Sequence, residues 1–195
     1  MKNMLFKKEF KADKPKSSFL SKLYLTPLQR KGLLKWVLYS LLLILLSVLQ
    51  DVVLSRFRLF GGTTDLVPCA IFLICIIEGS EVGSVFALIS ACLYTFSGTA
   101  PGAYSMIFIT VLAIFVTIFR QGYLRKGFAA AMICAWFAII VYEAAVFGIG
   151  LLLGLTIFSR WIGFVATTGL NLLITPLMYP IVLSISSIGG ETWKE

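Results

Sequence analysis

The sequence predicts an all-α polytopic membrane protein, a bundle of six transmembrane helices. Three observations predict it. Only 13% of the 195 residues are charged, about half the share typical of a soluble domain. The mean hydropathy is +0.95. The remaining chain divides into apolar runs separated by short segments that are either basic or rich in turn-forming residues, the pattern of spans and loops.

The first 32 residues form a basic tail that holds Lys2, Lys7, Lys8, Lys11 and Lys14 among its charges. They do not read as a cleavable signal, because a short basic region should lead directly into an apolar one. Phe6, Phe10, Phe19, Leu20 and Leu23 leave two readings open. One is an amphipathic helix on the membrane surface, and the other is a solvated tail. Residues 33–188 form the membrane domain, and residues 189–195 a second cytoplasmic tail.

The first span, residues 33–54, is long enough to cross a bilayer at about 1.5 Å per residue. The second, residues 65–79, falls short of a hydrocarbon core of about 30 Å, so it must be shielded, extended by flanking loops, or matched by a thinner bilayer. The turn EGSE leads to the third span, 81–97. SGTAPG then precedes the fourth, 103–119, with Gly98, Pro101 and Gly102 as turn formers. The loop RQGYLRKG precedes the fifth span, 128–153, and FSRW joins that to the sixth, 162–188.

Six spans put both termini on one side. With the N-terminus inside, fourteen of the 17 basic residues are cytoplasmic, and only Arg56, Arg58 and Arg160 lie outside, as the positive-inside rule requires. The net charge of +8 is therefore that of a tail beside an anionic membrane surface, which argues against nucleic-acid binding and for membrane lipids as the partner of the charge.

The chain has no histidine and no convergent set of polar groups, so an enzyme is not expected. Cys69, Cys75, Cys92 and Cys134 fall within apolar runs without a CxxC pair, and read as packing residues rather than metal ligands. No cofactor or metal is implied. GIGLLLG lacks the lysine of a phosphate loop. Glu78 and Glu81, in the inner turn, are expected to be solvated.

Glu143 is the sharpest anomaly, with sixteen uncharged residues on each side. Such a group faces the bundle interior or a polar cavity. It is either a substrate or ion contact, or an internal anchor to Asn171 or Thr175 of the next span. Asp51 and Asp65 bracket the first outer loop and are expected to pair with Arg56 and Arg58. Gly150 with Gly154, and Ala131 with Ala135, have the four-residue spacing that lets helix backbones approach. Pro176 and Pro180 each remove a backbone donor, so the sixth helix is expected to break or kink there against covering neighbours.

Asn171, Leu172, Leu173, Pro176, Tyr179 and Pro180 together resemble the last span of the MreD family of bacterial rod shape-determining proteins. LFGGTTDLVP (59–68) and GSVFALISACLYTFSGTAPG (83–102) are similar to that family's first outer loop and Gly-rich third span. Thr64, Ser90 with Ala91, and Tyr94 depart from its pattern. The resemblance implies a non-enzymatic scaffold subunit of the cell-elongation (rod) complex in the plasma membrane. Its partner would be an MreC-like single-span protein and, through that, actin-like MreB and the peptidoglycan synthases. It also implies a fold resembling the S components of energy-coupling factor transporters, and hence an alternative role in binding a vitamin or metal ion for transport.

Overall fold

The run with no polar face becomes the centre of the molecule. The computed structural model describes residues 27–56, 62–125 and 127–188. Residues 1–26, Arg58 and residues 189–195 lie outside the described residues, and with them the question of an amphipathic tail helix, whereas residues 27–32 of the expected tail are helical and begin the first span. Six helices follow in order: α1 (Pro27–Val52), α2 (Leu66–Glu78), α3 (Ser80–Phe96), α4 (Tyr104–Tyr123), α5 (Phe128–Leu152) and α6 (Trp161–Ile188). Single 3₁₀ turns sit at Leu54–Arg56 and Phe158–Arg160. Four of the helices are long and apolar enough to cross a membrane, whereas α2 and α3 are shorter apolar helices. The protein is an all-α, multi-pass membrane protein.

Every residue of α2 from Leu66 to Ile77 is buried, because all five other helices pack on it. A helix that is apolar all round has no face to offer water and belongs inside protein. At 13 residues it spans about 20 Å. Shielding by protein is thus the answer to its shortness. The outer helices show lipid the opposite composition: Val37, Leu41, Ile44, Leu45 and Val48 of α1 are all more than half exposed, as a bilayer requires of a bundle's outer surface.

Contacts at the two ends of the bundle fix the helix directions. At one end Lys35, early in α1, pairs with Glu78 at the close of α2, and Ser80 donates to Gln121 at the close of α4 at 2.8 Å. At that end too, Phe128 of α5 meets Tyr179 of α6 edge to face at 5.0 Å. At the other end Gln50, late in α1, bonds Asp65 at the start of α2. The connections α1–α2, α3–α4 and α5–α6 therefore gather at one end, and α2–α3 and α4–α5 at the other.

Glu78 departs from its expected solvation. Its carboxylate is only 6% exposed, is held by Lys35, and accepts the Tyr39 hydroxyl at 2.7 Å. The charge is tolerable because it is paired and hydrogen-bonded at once. Glu81, one helix later, is exposed as expected. Between them the chain reverses at Gly79, whose φ of +102° belongs to glycine. The α2–α3 hairpin closes tightly enough that a Cβ on Gly83 would lie 3.1 Å from the Cys75 backbone.

Two further expectations change. α6 runs through Pro176 and Pro180 without a break. Asn171, Thr175, Met178, Tyr179 and Val182 give it a continuous buried face across both prolines, and packing along that face holds the helix where two donors are missing. The Gly150–Gly154 pair is not a helix-packing motif. α5 ends at Leu152, and Gly154 turns the chain with φ +69°. Leu155 N–H bonds the Gly150 carbonyl at 2.9 Å and Gly154 N–H that of Leu151 at 3.1 Å, which is a Schellman cap. Ala131 and Ala135, by contrast, are both fully buried in the core.

Candidate functional site

A polar seam runs through the end of the bundle that carries the three odd-to-even connections. It begins at α2, whose first N–H groups need acceptors from outside the helix. Asp65 occupies the N-cap position but makes no side-chain cap bond. Gln50 of α1 supplies the cap across the interface: its Oε1 accepts Leu66 N–H at 3.0 Å and Val67 N–H at 3.3 Å, while its Nε2 donates to Asp65 Oδ1 at 3.0 Å. The expected pairing of Asp65 with Arg56 or Arg58 is replaced, among the described residues, by this amide. The carboxylate lies against α1.

Asn171 continues the seam. Its Oδ1 accepts Asp65 N–H at 2.9 Å, and its Nδ2 donates to Glu143 Oε1 at 2.7 Å. Thr175 donates its hydroxyl to the Asn171 carbonyl at 2.6 Å. Glu143 is therefore the internal anchor that one of its two readings expected, with Asn171 rather than Thr175 as its partner. Three distant segments of the chain meet on one amide, which uses both its donor and its acceptor.

Glu143 also lines a cavity. This cavity, of about 810 Å³, opens between α5, α6 and the connections at this end. Glu143, Phe147 and Gly150 of α5 form one wall and Phe164 and Thr167 of α6 another. Tyr104, Thr156 and Arg160 stand around the mouth. Phe147 and Phe164 stack at 5.0 Å. Gly150 permits the close return of the chain, since a Cβ there would lie 2.8 Å from Thr156 Cγ2. Gly102 does the same below Tyr104, whose ring would stand 2.5 Å from a Cβ. Gly98 turns the α3–α4 connection with φ +78° and faces open space.

A second concavity lies on the bundle's flank. α1 and α3 diverge over α2, leaving an apolar groove of about 620 Å³. Trp36 and Val82 line it toward the Lys35 end, and Val48, Leu93 and Ser97 toward the other. Ser40 and Ser47 of α1, Ser90 of α3 and Ser97 just past its end also line it.

Among the described residues no group of three potential metal ligands occurs. Pro176 is half-buried and Pro180 exposed, and neither lines the seam or the cavity. Sequence reading passed over Gln50, Lys35 with Tyr39, and Tyr104. Gln50 carried a usable signal, an amide within the last turn of an apolar span, which is the property that drew attention to Asn171. Compared with family models, curated proteins and solved structures, the chain matches none of them.

Proposed function

We propose that this protein is a non-enzymatic scaffold subunit of a bacterial cell-elongation complex, seated in the plasma membrane with both termini in the cytoplasm, and that it binds the transmembrane helix of an MreC-like single-span partner. The groove between α1 and α3 carries the reading. It runs along about 20 Å of both helices, is apolar, and has serines on each wall small enough for another backbone to approach. Association of helices in lipid relies on such close packing rather than on hydrophobic burial. Asp65 and Asn171, from two separate stretches of the resemblance to MreD proteins, are hydrogen-bonded to each other.

Coexpression with a single-span partner of this type tests the proposal. The two should copurify in mild detergent, and Ser47→Phe, which fills the groove, should abolish copurification while leaving the yield unchanged. Depletion should turn rod-shaped cells round. Labelling from outside of a cysteine placed at Thr99, but not of one at Gln121, tests the orientation.

The second reading, a substrate-binding S component of a transporter, draws support from the cavity over Glu143. Copurification with an ATPase module, and indifference to the single-span partner, would decide for it.

A further inference from the structure

The cavity at the end of α5 and α6 has a chemistry that helix packing does not require. Glu143 is 6% exposed. Its Oε1 is taken by Asn171, whereas Oε2 has no hydrogen-bond partner among the described residues. A carboxylate this deep in an apolar bundle is costly, and the cost falls when a positive group reaches the second oxygen. The surrounding walls are aromatic: Tyr104, Phe147 and Phe164 line the same space, and aromatic rings around an acid are the surroundings that favour an organic ammonium. At the mouth stands Arg160, exposed and without an ion pair to any described residue. The site thus brings a buried carboxyl, aromatic rings and an exposed guanidinium into one lining. Its volume of about 810 Å³ is within the range of small-molecule sites.

From this arrangement we infer that the cavity binds a small zwitterion, a molecule whose ammonium group meets Glu143 Oε2 beside the aromatic rings while its anionic group meets Arg160. Glu143 is buried and Arg160 exposed within one lining, so a simple amine would answer only the first and a simple anion only the second. Thr156, also in the lining, has a buried hydroxyl with no described partner and supplies a further polar contact. The same chemistry is found in a phospholipid headgroup and in a free amine phosphate or amino acid. The inference goes beyond partner binding through the α1–α3 groove, which lies elsewhere on the bundle, and it gives the transport reading a ligand class.

Phosphoethanolamine is the probe for the free source, titrated calorimetrically into the full-length protein in phosphatidylglycerol nanodiscs. Saturable binding is expected, weakened by about tenfold or more in Glu143→Gln, which keeps an acceptor for Asn171 but loses the charge. For the headgroup source, the protein is reconstituted with phosphatidylethanolamine and examined by native mass spectrometry. A retained phosphatidylethanolamine that Glu143→Gln releases identifies the lipid. Arg160→Gln, at an exposed position, should weaken binding in whichever arm is positive, and it decides the matter if Glu143→Gln does not fold. Binding in neither arm, or equal binding by wild type and the folded variants, overturns the inference. Copurification with a single-span partner is unaffected by either result, so failure here is distinguishable from failure of the scaffold reading.

Discussion

Asn171 Nδ2 lies 2.7 Å from Glu143 Oε1, and the same side chain accepts the Asp65 backbone N–H through Oδ1. One amide therefore joins α5, α6 and the entry to α2. Asn171 is buried, so its loss strands both a carboxylate oxygen and a backbone donor.

Asn171→Leu is accordingly expected to cost more than Glu143→Gln. The first leaves two buried groups unsatisfied, at about 1–3 kcal/mol each. The second leaves the amide pair intact, and Glu143→Leu should fall between them, at about 1 kcal/mol. Thermal unfolding in detergent should order the three variants in that way. A Glu143→Gln protein as unstable as Asn171→Leu would show that the charge itself holds the seam.

Gln50 caps α2 from another helix, so Gln50→Leu should loosen the start of α2 without disturbing its far end. Amide hydrogen exchange is expected to rise at Leu66 and Val67, whose N–H groups lose their acceptor, and to stay low near Ile76. Uniform exchange across the helix would contradict the assignment.

Lys35 and Glu78 form a buried pair, and the cost of breaking it depends on which charge is left behind. Lys35→Met strands Glu78 and is expected to destabilise by about 3 kcal/mol or more. The Lys35→Met, Glu78→Gln double variant should recover a substantial part of that loss. Additive losses in the double-variant cycle would mean that the two side chains act separately.

Gly154 and Gly148 stand six residues apart, but only Gly154 has a left-handed backbone. Gly154→Ala should destabilise by about 1 kcal/mol. Gly148→Ala, with open space around its Cα in α5, should be neutral or slightly stabilising. Equal effects in an unfolding titration would argue against the Schellman cap.

The sequence by itself determined the class of the protein, its six helices to within a few residues except at the start of α1, which lies six residues before the expected span, and the identity of Glu143 as a group needing a partner. These are local properties. Long apolar runs, turn formers such as Gly98 and Gly102, and a lone carboxylate are all visible without knowing which helix lies beside which. The partner of Glu143 was legible to the level of two residues, because few polar groups exist in the next span. What only the tertiary structure decided depends on contacts between segments far apart in the chain. Glu78 looked solvated because nothing near it in sequence is basic, and Lys35 reaches it from 43 positions away. Gly150 and Gly154 have the spacing of a helix-packing pair, but the end of α5 falls between them and converts the second into a turn. The prolines of α6 were expected to break or kink the helix on backbone grounds; the helix is continuous through both, with packing along its buried face to hold it. Of the cavity the sequence signalled only Glu143, since its lining comes from α4, α5, α6 and three connections, and only their convergence creates it.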